Sequence, residues 1–131
     1  MTKETQSLYI GIDPGASGAI AFLRDPMVLV YSLPLLAGKP SAICFKRLLG
    51  LIEPELLVNG CHLCVLEDVH AIPQWGSKMS FQFGDSVGVV RSALAFLEIP
   101  TEKVTPQRWK KAVLGKNSSD KMQSIRKVRE R

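Results

Sequence analysis

The stretch Tyr9-Ile-Gly-Ile-Asp-Pro-Gly-Ala-Ser-Gly18 decides the fold of this chain. Apolar residues alternate along its approach, at Leu8, Ile10 and Ile12, which is the period-two pattern of a β-strand. Residues 19–23 are apolar again, so we predict that the glycine-rich segment joins two strands as a hairpin. Asp13 ends the first strand, where an ionised carboxylate is costly to bury unless a partner compensates it. It is therefore either a capped structural acid or a metal ligand.

Length and composition indicate one domain that spans residues 1–131, because the chain is long enough for one core and too short for two. Although 46% of the residues are apolar, no window of about twenty residues is free of charge, so we expect no membrane span. The first seven residues lack the basic-then-apolar order of a signal peptide. Three cysteines, Cys44, Cys61 and Cys64, cannot all pair, which fits a reducing, cytoplasmic compartment.

Charge is distributed unevenly along the chain. Residues 103–131 contain ten basic and two acidic groups, a net charge of +8, whereas residues 1–102 contain seven basic and ten acidic groups, a net charge of −3. A basic C-terminal segment next to a mildly acidic remainder is typical of a protein that binds a polyanion beside a cation-binding site. A solvated basic helix face is the alternative interpretation of the same pattern.

Local patterns predict an α/β fold. Apolar runs at residues 8–13, 19–23 and 28–32, separated by turn residues, predict a three-strand antiparallel meander. Ser41 is suited to cap a helix that reaches about Ile52. The remaining predicted elements are an irregular segment at 53–60 broken by Pro54, a buried strand at 62–67, a loop at 69–78, a helix at 79–97, a strand at 101–104, a short helix from Pro106 to Leu114 and a basic helix capped by Ser119 or Asp120.

This order of elements predicts a mixed sheet with helices on both faces. In such a sheet the first strand can lie centrally beside the strand at residues 62–67, and Asp13 and Glu67 then approach each other on adjacent strands. The helix at 79–97 has an apolar seam formed by Phe83, Val87, Val90, Leu94 and Leu97. Gly84 and Gly88 make a small-residue patch on it, which is either a dimer contact or packs against the sheet.

Two carboxylates that approach each other repel unless a proton or a cation lies between them. A hard divalent ion such as Mg²⁺ or Mn²⁺ prefers oxygen ligands, and a pair of such ions about 4 Å apart can activate water and stabilise the leaving oxygen of a phosphodiester. The constellation therefore suggests metal-dependent phosphodiester hydrolysis. Strand-end acids that merely cap helices or pair with lysines are the competing interpretation.

Several motifs in order resemble the RuvC-type Holliday junction resolvases, particularly their phage-borne relatives, from about Leu8 to Arg131. The motifs are Gly11-Ile12-Asp13-Pro14-Gly15 with Ser17-Gly18, then Leu66-Glu67-Asp68-Val69-His70 followed by Gln74 to Gly84, then Val104-Thr105-Pro106 with Trp109-Lys110-Lys111 and Gly115, and last Ser119-Asp120-Lys121. The resemblance implies an RNase H-like five-stranded sheet and a divalent-metal endonuclease for four-way or other branched DNA. It also implies a homodimer that acts in DNA recombination and repair, in the cytoplasm at the nucleoid of a bacterial or phage-infected cell.

The same resemblance implies the site residues. Asp13 and Glu67 would be the metal-binding acids, and Lys121 and Lys111 would be basic catalytic residues near the scissile phosphate, where a lysine can neutralise developing charge. Trp75 is the aromatic side chain that we expect to stack on a base, with simple packing as the alternative, whereas Phe83 belongs to the helical seam. The DNA-contacting residues would be Trp75, Lys78, Arg108, Lys110 and Lys116.

The sequence departs from the family at its end. Family members continue into a last helix that carries two further acidic positions, whereas this sequence stops at Arg131 within the basic segment. Asp68 is a poor substitute, because strand alternation turns it away from Glu67. We therefore expect a C-terminally truncated RuvC-type domain, with a proteolytic core and a degenerate protein as the alternatives, whose 131-residue form cleaves weakly or not at all.

Three other functions are weighed against this one. A non-catalytic binder of branched DNA would use the basic tail for affinity and would not depend on metal. An actin-like or sugar-kinase ATPase would need two such domains around its nucleotide, and 131 residues allow only one. A zinc site at Cys61, His62, Cys64 and His70 is disfavoured, because adjacent strand residues point to opposite faces and no second paired motif exists.

Overall fold

The computed structural model describes residues 7–108 and residue 111. Within these residues the elements follow in the order β1 (Leu8–Asp13), β2 (Ala19–Arg24), β3 (Met27–Ser32), β4 (Leu35–Leu36), β5 (Lys39–Ile43), α1 (Phe45–Leu56), β6 (Cys61–Glu67), α2 (Ser77–Phe96) and β7 (Thr101–Val104). A helical turn follows at Pro106. The predicted basic helix beyond residue 111, with its cap at Ser119 or Asp120, lies outside the described residues.

Five of the strands form one mixed sheet in the order β3-β2-β1-β6-β7. β1 pairs with β2 antiparallel through the predicted hairpin, and β2 pairs with β3 in the same way. On its other side β1 pairs parallel with β6, which pairs parallel with β7. The meander, the central position of β1 and the five-stranded mixed sheet are therefore confirmed.

The hydrophobic core lies on one face of this sheet. Alternation along β1 buries Leu8, Ile10 and Ile12, and the register places buried residues of β2 and β6 beside them. Helices α1 and α2 both contribute fully buried side chains to this core, Leu48 and Val90 among them. Both helices therefore cover the same face of the sheet. Among the described residues, the prediction of helices on both faces is supported for this one face.

The opposite face and the edge strand β3 expose apolar side chains among the described residues. β3 is an edge strand that pairs with β2 on one side only, and all six of its residues are exposed. No helix in the described part of the chain is long and apolar enough to cross a membrane.

The structure corrects the predicted first helix at both ends. Ser41 does not cap a helix but lies within β5, which pairs with β4 in a small hairpin, and α1 begins after Cys44. The hairpin forms because Gly38 turns the chain with φ 77°, a left-handed conformation that glycine adopts without strain. At the other end, Pro54 lies inside α1, and the left-handed turn comes later, at Asn59 and Gly60.

Pro54 lies in the last turn of α1, where its missing N–H costs the helix one hydrogen bond close to its end. The neighbouring carbonyl group of Glu55 accepts a hydrogen bond from the Arg24 guanidinium. This contact ties the end of α1 to β2 and supplies a partner to a carbonyl that the helix leaves open. The predicted irregular segment at 53–60 is therefore helical up to Leu56.

Candidate active site

The glycine-rich loop between β1 and β2 holds the backbone of Asp13 in a tight arrangement. The amide of Gly15 donates to the Asp13 carbonyl oxygen at 3.2 Å, and the amide of Gly18 donates to the Gly15 carbonyl at 3.0 Å. Pro14 is fully buried, whereas the Asp13 side chain is exposed. A Cβ atom on Gly18 would lie 1.9 Å from the Asp13 carbonyl oxygen, so only glycine fits there. The loop thus presents the carboxylate to solvent on a rigid backbone.

Glu67 is the last residue of β6, the parallel strand next to β1, and it lies at the same edge of the sheet as Asp13. Ile12 pairs with Leu66 in the register of β1 and β6, and the next residues of the two strands are Asp13 and Glu67. Because paired residues share a face and the following residues share the other, both carboxylates extend from the face opposite the core. The predicted juxtaposition of the two acids at adjacent strand ends is confirmed by this register.

Asp68 occupies a different environment. Its backbone amide donates to the Val104 carbonyl oxygen at 2.8 Å, which extends the pairing between β6 and β7 by one residue. Its carboxylate lies 3.9 Å from Nε2 of His70. Alternation therefore separates Asp68 from the face that Asp13 and Glu67 share.

A cavity of about 790 Å³ opens beside Asp13. One wall is the glycine-rich loop, a second is the segment after β3, and a third is the first half of α2 together with Trp75. Most of its surface is apolar. The residues that line it are Asp13, Gly15, Ala16, Ser17, Gly18, Ser32, Leu33, Leu35, Trp75, Met79, Gln82, Phe83 and Ser86.

Trp75 packs within this cavity wall. Its ring lies edge-on to the ring of Phe83, with the centroids 5.2 Å apart and an interplanar angle of 65°. The indole is half-buried, and Phe83 is half-buried too. Phe81, two residues earlier on the helix, is 81% exposed. Both Trp75 and Phe83 therefore border the cavity, and Phe81 extends into solvent.

The predicted basic residues fall into two groups. Lys78 is exposed in the first turn of α2, and Lys111 is exposed as well. Arg108 is exposed and lies 3.7 Å from the carboxylate of Glu102, while its amide donates to Oγ1 of Thr105 at 3.1 Å. The other predicted DNA-contacting and catalytic lysines, Lys110, Lys116 and Lys121, lie outside the described residues.

Within residues 7–108 and 111, no group of three or more His, Cys, Asp or Glu side chains is close enough to hold a metal ion. The pair of Asp13 and Glu67 nevertheless fits a hard divalent cation, because carboxylate oxygens are the donors such ions prefer and because Mg²⁺ usually keeps several waters beside one or two protein carboxylates.

In the described part of the chain, the cysteines and histidines form no such group either. Cys64 is fully buried, and burial raises the pKa of its thiol to about 12, while burial also raises the pKa of the Cys61 thiol. A thiol with a raised pKa is a poor source of the thiolate that zinc binds. The exposed His62 ring packs against Tyr9, with centroids 5.1 Å apart.

Sequence reasoning missed the polar residues of the cavity wall, Gln82 and Ser86. Ser86 is 1% exposed, and Gln82 is half-buried. Their position beside the apolar seam of α2 could have identified them, because a polar side chain on the buried side of a helix is uncommon and often has a function there. Leu33, just after β3, and Leu35, the first residue of β4, also line the cavity, and the sequence did not predict the β4–β5 hairpin to which Leu35 belongs.

No protein-family model matches the sequence, and no curated protein matches it. Among solved structures, the chain is similar to RuvC of Thermus thermophilus, with a TM-score of 0.55 and 18% identity over 94% of this chain and 78% of that one. It is also similar to T. thermophilus RuvC in complex with a Holliday junction substrate, with a TM-score of 0.53 and 17% identity over 82% of this chain and 70% of that one. At these identities the comparisons show the fold, which is the RuvC-like form of the RNase H fold.

Proposed function

We propose that this chain is a divalent-metal-dependent, structure-selective endonuclease that cleaves phosphodiester bonds in four-way or other branched DNA. The observation that carries the proposal is the pair of carboxylates, Asp13 and Glu67, on one face at the ends of adjacent parallel strands in a RuvC-like fold. A structurally similar protein, RuvC of T. thermophilus, has been solved in complex with a Holliday junction substrate.

Asp13 and Glu67 would together hold Mg²⁺ or Mn²⁺, and the rigid glycine-rich loop would keep the Asp13 carboxylate in place. When bound, the cation supplies an activated water and neutralises charge on the phosphate. The exposure of Asp13 leaves room for phosphate oxygens and water beside the acids. Lys111, and Lys121 beyond the described residues, would neutralise charge near the scissile phosphate.

Basic side chains would bind the rest of the DNA. The net charge of +8 over residues 103–131 supplies a phosphate-binding surface close in sequence to β7, which neighbours β6 in the sheet. We propose that Lys78, in the first turn of α2, contacts the DNA together with Arg108, Lys110 and Lys116 of the basic segment. We also propose that the active form is a homodimer, because a four-way junction offers two equivalent strands to cut.

The proposal is tested by Asp13→Asn in a nicking assay on four-way DNA with Mg²⁺ or Mn²⁺, in a version of the protein that also carries the last helix of the family, because the 131-residue form is expected to cleave weakly or not at all. We expect cleavage to fall by more than about 100-fold, because the loss of a residue that only supports a metal ligand already costs about 10- to 100-fold. Junction binding, measured in a gel-shift assay, should be kept. Asp68→Asn is the matched control, because it removes a carboxylate that faces away from the pair. Undiminished cutting by Asp13→Asn would exclude the metal-ligand assignment.

A non-catalytic binder of branched DNA is the second candidate. It is favoured by the fact that, among the described residues, no third His, Cys, Asp or Glu side chain joins Asp13 and Glu67 in a group that could hold a metal ion. It predicts that junction affinity falls steeply with salt, does not change when EDTA replaces Mg²⁺, and is the same for Asp13→Asn. Metal-dependent nicking by the chain would exclude this candidate.

A further inference from the structure

A groove of about 670 Å³, the α2–β7 groove, lies between those two elements and away from the cavity at Asp13. Its floor is apolar and contains the buried residues Leu66 and Leu94. Its polar side chains come from Arg91 and Ser92 of α2 and from Thr101 and Lys103 of β7. The groove and the cavity at Asp13 have no lining residue in common, so they are separate places in the fold.

The register of the sheet turns Lys103 toward this groove. Lys103 pairs with Leu66 of β6, which is buried on the face that the helices cover. Paired residues of neighbouring strands share a face, so the Lys103 side chain extends toward α2. Glu102 pairs with Val65 on the opposite face, where its carboxylate lies 3.7 Å from the Arg108 guanidinium. The strand therefore turns its base toward the groove and its acid away from it.

One stripe of α2 forms the other side of the groove. Gly88, Arg91, Ser92 and Ala95 follow one another at i, i+3, i+4 and i+7, so they share one side of the helix. Nothing lies within 4 Å of a Cβ atom added at Gly88, and Ala95 has only a methyl group. These small neighbours leave open space for a ligand beside the Arg91 side chain.

The two cations of the groove have no counter-charge in the described part of the chain. Arg91 and Lys103 are exposed, and neither side chain forms an ion pair or a hydrogen bond with another described residue. No acidic side chain among these residues lines the groove. The Ser92 hydroxyl is exposed as well, whereas the Thr101 hydroxyl already donates to the Ile99 carbonyl oxygen at 2.9 Å. Two positive charges and one hydroxyl group therefore border a groove that attracts an anion.

A phosphate group fits these donors. An arginine guanidinium binds phosphate oxygens through two parallel hydrogen bonds, and a lysine ammonium binds them as a point charge. A serine hydroxyl donates one further hydrogen bond. The apolar floor suits the sugar carbons that adjoin the phosphate of a nucleotide. We infer that the α2–β7 groove is a phosphate-binding site, separate from the carboxylate pair, in which Arg91, Ser92 and Lys103 hold one phosphate group.

Two sources supply this chemistry, the backbone of a DNA strand and a free phosphate compound such as a nucleotide. The site does not depend on the proposed cleavage, because Lys103 extends from the face of the sheet opposite to Asp13 and Glu67. The phosphate site and the endonuclease proposal can therefore fail independently.

Amide NMR of the ¹⁵N-labelled chain tests the site with inorganic phosphate as the probe. The titration is made in EDTA, so that no divalent cation joins phosphate to Asp13 and Glu67. We expect saturable shifts at the amides of Arg91, Ser92 and Lys103, larger than those at exposed basic residues elsewhere.

Two double variants show whether the groove itself is responsible. The groove variant, Arg91→Gln with Lys103→Gln, should weaken phosphate binding by at least about tenfold, because it removes the charge-assisted hydrogen bonds. Its amide spectrum reports directly whether it folds. The control variant, Lys39→Gln with Lys46→Gln, removes the same charge from exposed positions outside the groove and should keep the affinity of the unchanged chain.

The affinity for four-way DNA in EDTA, measured over a range of salt concentrations, distinguishes the two sources. If the groove holds a backbone phosphate, the slope of log affinity against log salt should become shallower by about 1 to 2 in the groove variant, because each neutralised phosphate contributes about 0.9. The control variant should keep the slope of the unchanged chain. Equal slopes in both variants, with phosphate binding in the groove of the unchanged chain, would assign the site to free phosphate compounds.

The phosphate site is overturned if inorganic phosphate shifts the groove amides no more than those of other exposed basic residues and if the two double variants bind DNA with the same salt slope. That result leaves the endonuclease proposal standing, because the endonuclease is tested by nicking. Conversely, if the version with the last helix cuts no branched DNA while phosphate still binds in the groove, the endonuclease proposal alone is overturned.

Discussion

Gly18 is the position where one added methyl group tests most directly how the glycine-rich loop holds Asp13. A Cβ atom at Gly18 would lie 1.9 Å from the carbonyl oxygen of Asp13 and 2.9 Å from its carbonyl carbon. Real Cβ atoms essentially never come closer than 3.0 Å to such atoms, so Gly18→Ala must separate the two segments by about 1 Å. Both obstructing atoms belong to the backbone, and therefore no side-chain rotation relieves the contact.

The displacement has two expected consequences. Forcing extra volume into a packed site lowers the free energy of unfolding by about 1–3 kcal/mol. The carbonyl that must move belongs to the residue that carries the candidate catalytic carboxylate, and a shift of about 1 Å in a catalytic geometry can reduce the rate by about 100-fold. We therefore expect Gly18→Ala to lose both stability and cleavage, with the loss of cleavage persisting at temperatures where the variant is fully folded.

Urea unfolding followed by tryptophan fluorescence measures the first effect, and junction nicking measures the second. Gly84→Ala is the matched control, because Gly84 is exposed on α2 with nothing within 4 Å of an added Cβ. Alanine there should stabilise the helix by about 0.5–1 kcal/mol. If Gly18→Ala unfolds at the same urea concentration as the unchanged chain, the loop is not held as tightly as its backbone contacts indicate.

Two further predictions concern the core. The folded-state pKa of Cys64, about 12, lies above its ordinary value of 9.0, so its neutral thiol contributes stability that is fully present below pH 9 and is lost as the pH rises toward 12. Urea titrations over that window should show a decreasing free energy of unfolding, and Cys64→Ala should flatten the slope. Ile10→Ala, at a position 1% exposed in the central strand, should cost about 2–5 kcal/mol in the same assay, whereas Leu57→Ala, at a position 84% exposed, should change stability by less than about 0.5 kcal/mol.

The strands of the sheet could be predicted because their information is local. Period-two alternation identifies β1, and the turn residues between Asp13 and Ala19 leave a hairpin as the simple connection. The strand Thr101–Val104 was also predicted at its observed bounds. The juxtaposition of Asp13 and Glu67 needed one further step, the parallel pairing of their strands, and the short connections of an α/β fold restrict that choice to few arrangements.

The β4–β5 hairpin could not be predicted in the same way, because its strands are short and one contains Pro40. Ser41 has the chemistry of a helix cap, but its segment forms strand pairs with Leu35 and Leu36 instead. Tertiary pairing outweighed local preference there. Likewise, Pro54 is a strong signal for a helix end in isolation, yet α1 continues two residues past it, and Arg24 bonds the carbonyl of Glu55 from a distant strand, a contact that no local pattern predicts.

The residues of α2 that line the cavity could be predicted to share a face of the helix, but not to border a cavity. Met79, Gln82, Phe83 and Ser86 are spaced at i, i+3, i+4 and i+7, so they form one stripe on α2 that continues into the buried positions Val90 and Leu94. Phe81 is two residues from Phe83, about 200° around the helix, and for that reason it faces solvent. A periodic stripe identifies which side chains share a face but not what that face meets. Its second half meets the sheet and closes a core, whereas its first half meets a loop of glycines and alanine, which are too small to fill the space. The polar members of the stripe, Gln82 and Ser86, lie in that first half, which borders the cavity, because the second half must be apolar to close the core.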